Sequence, residues 1–205
     1  MKWYTIGPLS FPASWAAIGA AFLLTFLYFV IQRKKAVADD MGNAFFIFFL
    51  IWKLSVILFQ FSTVIKNPLM ILYFNGGWKG YALGMAGAFI YLCVKVLRNR
   101  LNSSLLVEAW LFSALVYELA FYLLNARHIL MGSIHILGAI LFFLWTRKKA
   151  GQTIWQLQLL ILFTCFQAFI YSFKGDMLSA PMATYVAVCG ALAATILTER
   201  KRADE

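Results

Sequence analysis

Apolar runs of about twenty residues, separated by short polar connections, organise the whole chain. They fall at about 12–31, 42–62, 78–97, 104–124, 128–146, 153–173 and 178–198. An α-helix needs about 20 mostly apolar residues to cross the hydrocarbon of a bilayer. A lone segment in hydrocarbon must also satisfy its own backbone, which a helix does and a single strand does not. The pattern therefore predicts an all-α polytopic membrane protein of seven transmembrane helices, with residues 1–205 forming a single domain. Only Lys2 precedes the first run, and basic residues follow it, the reverse of a cleavable signal; it is expected to act as a span.

The longest connection among these runs, about 63–77, holds Asn67-Pro68 and Asn75-Gly76-Gly77, a turn-rich stretch. The third run opens with Gly80, Gly84 and Ala88, and the seventh carries Gly190 and Ala194. Small residues at that spacing let helix backbones approach closely. Trp3, Tyr4, Trp78 and Trp145 stand near run ends, where amphipathic rings sit at the membrane–water boundary.

Composition strengthens this picture. The chain is 63% hydrophobic and 13% charged, against about half and about a quarter in a soluble domain. The net charge of +10 would suggest nucleic acid in a soluble protein, but here its placement accounts for it. Twelve Lys and Arg residues lie on one side: Arg33, Lys34, Lys35, Lys95, Arg98, Arg100, Arg147, Lys148, Lys149, Arg200, Lys201 and Arg202. Five lie on the other: Lys2, Lys66, Lys79, Arg127 and Lys174. Positive charge marks the cytoplasmic side, so the expected orientation is N-terminus out and C-terminus in, with no nucleic-acid partner. Cys93, Cys165 and Cys189 lie in apolar stretches with neither a C-x-x-C pair nor metal spacing, and no Gly-rich phosphate loop precedes a helix. No metal and no cofactor is expected.

Three ionisable residues fall inside the runs: Lys53, Glu118 and His135. Each costs at least about 2.5–3.5 kcal/mol near the bilayer centre, so such groups face protein or trapped water. With a helix advancing about 100° per residue, Lys53 shares a face with Gln60, Glu118 with Tyr122 and Asn125, His128 with His135, and Gln167 with Gln156, Tyr171 and Lys174. Four polar stripes at similar depth predict a hydrated cavity open to the outer leaflet. In such a cavity Glu118 or His135 can serve as a general base toward a hydroxyl or thiol, and Lys53 can hold a phosphate or developing oxyanion. The structural alternatives are a Lys53–Glu118 ion pair that locks the bundle, a neutral core His135, a capping His128 and glutamines that join helices. Glu108, near the inner boundary, is expected to be solvated.

Several stretches in order along the chain carry a family resemblance. They are Ile6-Gly7-Pro8-Leu9-Ser10, Asn67-Pro68-Leu69 followed by Gly76-Gly77-Trp78-Lys79-Gly80-Tyr81 and Gly84, the helix from Glu108 to Asn125, and Thr153 to Asp176. Together they resemble bacterial prolipoprotein diacylglyceryl transferase. The resemblance implies seven spans, N-out and C-in, in the bacterial plasma membrane. It also implies transfer of diacylglycerol from a membrane phospholipid, phosphatidylglycerol, to the lipobox cysteine thiol of a preprolipoprotein. Against the family pattern, Tyr81 replaces a histidine, Tyr122 and Gln167 replace arginines, and Glu118 replaces a glutamine. Only Ala126 and Arg127 separate Asn125 from His128 where the family has a head domain. The chain thus reads as a divergent, shortened relative.

The candidate catalytic residues are Glu118 and His135. The candidate substrate-binding residues are Lys53, Tyr81, Tyr122, Asn125, His128, Gln167 and Lys174. Three functions stay open: a phospholipid-dependent transferase, a non-catalytic lipid-binding or partner-binding relative that has lost the family's arginines and head domain, and a small proton-coupled transporter.

Overall fold

The computed structural model describes residues 2–6, 9–69, 71, 74–98, 101–125, 129–148 and 152–204. A short antiparallel hairpin, β1 (Trp3–Ile6) and β2 (Leu9–Pro12), opens the chain, with Trp3 opposite Pro12. Eight helices follow among the described residues: α1 (Ala13–Ile31), α2 (Lys35–Phe59), α3 (Phe61–Lys66), α4 (Gly77–Leu97), α5 (Ser103–Asn125), α6 (Ile129–Lys148), α7 (Thr153–Phe173) and α8 (Ala180–Asp204). Six of them, α1, α2, α4, α5, α7 and α8, are long and apolar enough to cross a membrane. The side chains of α6 are described from Gly132 onward.

The hairpin departs from the all-helical expectation, and its use is visible at two helix ends. Helix termini leave four backbone groups without intrahelical partners. At the start of α1, where Pro12 offers no side-chain cap, the Ala13 amide donates to the Lys2 carbonyl at 3.0 Å. At the end of α5, the Tyr4 hydroxyl donates to the Leu124 carbonyl at 2.6 Å, and the Lys2 amide donates to Asn125 Oδ1 at 3.2 Å. One ribbon thus satisfies orphan groups of both helices.

The second apolar run also differs from its expected bounds. α2 begins at Lys35, ahead of the apolar residues, because its polar first turns find partners: Asp40 accepts from Lys95 Nζ at 2.7 Å and from the Tyr91 hydroxyl at 2.9 Å. At its other end the helix breaks at Gln60, and α3 occupies part of the expected loop. The last helix continues beyond its apolar run into the basic tail as far as Asp204.

Glycines set the tightest helix contact. A Cβ on Gly84 of α4 would stand 2.8 Å from the Phe48 carbonyl oxygen of α2, and one on Gly80 would collide with Ser55. α2 and α4 therefore meet backbone to backbone, as the small-residue spacing predicted. α1 packs on α2 and α5, α2 on α4, α4 on α8, and α8 on α5; these five helices form one ring. α5, α6, α7 and α8 form a second ring that shares the α5–α8 wall. Leu23, Phe46, Ile90, Leu137 and Phe169 are exposed on the outside, as suits a surface whose solvent is lipid.

Candidate functional site

The four-helix ring encloses one polar cluster. Glu118, on α5, is 0% exposed. Its Oε1 accepts hydrogen bonds from the Tyr171 hydroxyl of α7 at 2.9 Å and the Tyr185 hydroxyl of α8 at 2.8 Å. Its Oε2 lies 3.4 Å from His135 Nδ1 on α6. The same Nδ1 is 3.3 Å from the Tyr122 hydroxyl, and His135 Nε2 meets Gln167 Oε1. Each helix of the ring contributes a side chain to this one hub. Two hydroxyl donors on one carboxylate oxygen replace water that the interior excludes.

Local sequence makes room for the imidazole. Gly132 and Gly138 stand three residues on either side of His135. A Cβ at Gly132 would lie 2.8 Å from the Tyr122 ring, and one at Gly138 would collide with Phe166. With these glycines the two rings close over His135 edge to face, with centroids 5.8 and 5.9 Å away.

The arrangement offers His135 two states. With Nε2–H donating to Gln167, a neutral ring accepts a hydrogen bond from the Tyr122 hydroxyl at Nδ1. A protonated ring instead turns Nδ1–H toward Glu118 Oε2. The proton at one atom thus selects the partner. Among the described side chains, Glu118 Oε2 and Gln167 Nε2 are buried without a hydrogen bond, so this network has unused capacity.

The five-helix ring encloses a cavity of about 620 Å³. Its depth is apolar, walled by residues such as Phe89, Leu92, Leu106, Val188 and Leu192. Its charged groups, Lys174 and Asp176, belong with Asn75 and Ser179 to the connections at the hairpin end, while Ser113 and Thr184 add hydroxyls from α5 and α8. Tyr171 and Tyr185 line this cavity while holding Glu118, so they form the partition between the two compartments. Glu118 and His135 lie behind it, both 0% exposed.

Lys174 follows α7 directly, at the cavity mouth. Its ammonium lies 4.5 Å from the centre of the Tyr171 ring and 4.7 Å from that of Tyr122, over two electron-rich faces. Burial lowers its pKa from the ordinary lysine value, and the carboxylates of Glu118 and Asp176 partly oppose that shift.

The other predicted residues divide. Tyr122 and Gln167 join the cluster, and Tyr81 lines the cavity, its hydroxyl 2.9 Å from Thr184 Oγ1. Asn125 serves the helix end instead: it accepts from the Lys2 amide and donates to the Phe121 carbonyl at 2.9 Å. Lys53 sits on α2, which packs on α1 and α4, and the described ion pair of Glu118 is with His135. His128 lies outside the described residues. Glu108 corrects its expectation, being buried rather than solvated; the Tyr28 hydroxyl donates to it at 2.5 Å, with Lys34 at 3.4 Å and Arg147 at 3.8 Å. Tyr185 was not anticipated, since a tyrosine in an apolar run reads equally as core or boundary. Comparison of the chain with protein-family models, characterised proteins and solved structures gives no match.

Proposed function

We propose that this chain is a seven-span protein of the bacterial plasma membrane, N-terminus out and C-terminus in, that holds a membrane lipid inside its five-helix ring. The cavity carries this reading. About 620 Å³ of mostly apolar space, with its charged groups gathered at one end, matches an amphiphile better than a soluble metabolite. α6, with 20 residues, serves as the seventh span. The excess of Lys and Arg on one side supports the orientation and puts the cavity mouth on the outer face.

A diacylglyceryl transfer has less support. Glu118 and His135 would have to reach a substrate thiol, and both are fully buried behind Tyr171 and Tyr185. Proton-coupled transport through Lys53, Glu118 and His135 has less still, because the helix bearing Lys53 packs away from the four-helix ring.

Lipid analysis of the purified protein tests the proposal. The wild type is expected to retain lipid stoichiometrically through detergent exchange. Val188→Trp, which puts an indole into the cavity from a fully buried position, is expected to lose it. Equal lipid content in both would sink the reading.

A further inference from the structure

We propose that the occupant of the cavity is a single-chain amphiphile with an acidic head, a fatty acid or a monoacyl phospholipid, whose anion meets Lys174. This rests on the lipid-binding reading and narrows it.

Dimensions argue for one chain. Along α4 the cavity is lined from Trp78 to Leu92, about 21 Å at 1.5 Å per residue. Along α5 it is lined from Leu106 to Phe121, about 22 Å. Half the hydrocarbon thickness of a bilayer is about 15 Å, the reach of one leaflet's acyl chains. The cavity therefore accepts a whole chain and leaves room for a head. At the share of about 30 Å³ that a water-sized group fills, 620 Å³ holds about 20 such groups, close to the heavy-atom count of one 18-carbon acid. Two such chains need about twice that, so one fits within the walls and two do not.

Charge argues for an acid. Lys174 and Asp176 are the charged side chains among the described residues of the cavity wall. The ammonium rests on two tyrosine faces, and none of the described ion pairs includes it. A carboxylate or phosphate is a stronger partner for an ammonium than an aromatic face, because the hydrogen bond is charge-assisted on both sides. Asp176 opposes an anion at the mouth, so its neutralisation should strengthen binding of an acid.

The experiment compares four probes on purified, delipidated protein in detergent: oleate, 1-oleoyl-lysophosphatidylglycerol, monoolein and dioleoyl-phosphatidylglycerol. At least one of the two acidic single-chain probes is expected to bind at one per protein, and which of them binds tells a carboxylate head from a phosphate head. Monoolein should bind at least tenfold more weakly, and the two-chain lipid should not displace a bound acid at equal concentration. Lys174→Met should erase the preference for acid over monoolein while keeping monoolein binding, which also shows that the variant is folded. Asp176→Asn should tighten the acids severalfold. Monoolein binding as well as the acids would overturn the acidic head, and equal competition by the two-chain lipid would overturn the single chain. If no probe binds the wild type better than Val188→Trp, it is the lipid-binding reading itself that falls.

Discussion

The hydroxyl of Tyr185 donates to Oε1 of Glu118 across 2.8 Å, joining α8 to α5 through the wall that separates cavity from polar cluster. Tyr171 donates to the same oxygen from α7. Oε1 therefore joins three helices, and the rings of its two donors line the cavity. Occupancy of one compartment and the hydrogen bonding of the other share these two side chains.

Removing one donor should be felt as stability. Tyr185→Phe keeps the ring and deletes the hydroxyl at a site only 3% exposed. Hydrogen bonds to charged groups contribute about 1.5–3 kcal/mol, and membrane interiors average somewhat less. A loss of about 1–2 kcal/mol is expected, read as a lower melting temperature in detergent. A melting temperature unchanged from wild type would mean that the hydroxyl has an equal alternative partner.

Replacing the acceptor separates charge from shape. Glu118→Ala leaves two tyrosine hydroxyls and an imidazole facing an empty space. A cost of about 3–5 kcal/mol follows for breaking such a buried group. Glu118→Gln keeps an oxygen for the tyrosines and offers an amide N–H to His135 Nδ1, so it should cost about 1 kcal/mol or less. Thermal unfolding of both variants checks the ranking. Equal losses would show that the negative charge, rather than the hydrogen-bond pattern, holds the junction.

The helices were legible in the sequence because hydrocarbon forces long apolar runs, and α1, α4 and α7 lie close to their expected bounds. The hairpin was not legible: Trp3 to Pro12 has no strong alternation, and its strands are held by helix ends distant in sequence. In the site, burial cost brought Glu118 and His135 to notice and helix-face spacing added Gln167, and the structure brings all three together. The same reasoning also favoured Lys53, whose helix belongs to the other ring. Heptad spacing reports which residues share a helix face, but not which helix that face meets. Tyr185 and Glu108 show the complementary gap, since their partners lie 67 and 80 residues away.

Two glycine substitutions should behave oppositely. A methyl group on Gly84 meets the Phe48 backbone carbonyl at 2.8 Å, and backbone cannot step aside cheaply. Gly84→Ala should pry α2 from α4 and cost about 1–3 kcal/mol, the range for overpacking. Gly190 on α8 has nothing within 4 Å of a built Cβ, so Gly190→Ala should be neutral or stabilise by up to about 1 kcal/mol through helix propensity. Yield of monodisperse protein and melting temperature report both. A destabilised Gly190→Ala would reveal a close partner for that face.

Orientation is open to direct labelling. Asn67 and Arg98 are exposed and stand in connections at opposite ends of the bundle. With the N-terminus out, Asn67→Cys should react with a membrane-impermeant maleimide on intact cells, and Arg98→Cys only after lysis. The charge argument meets a complication at the basic end, where Asp40 pairs with Lys95 and Glu108 approaches Lys34 and Arg147. If net charge set the topology, these acids would offset part of the basic excess and weaken the bias. Acidic residues contribute little to orientation, so the full Lys and Arg excess is expected to act and the labelling to be one-sided. The native Cys93, Cys165 and Cys189 lie within α4, α7 and α8, and a triple-alanine background removes their contribution. Labelling of Arg98→Cys on intact cells would invert the topology and put the cavity mouth on the cytoplasmic face.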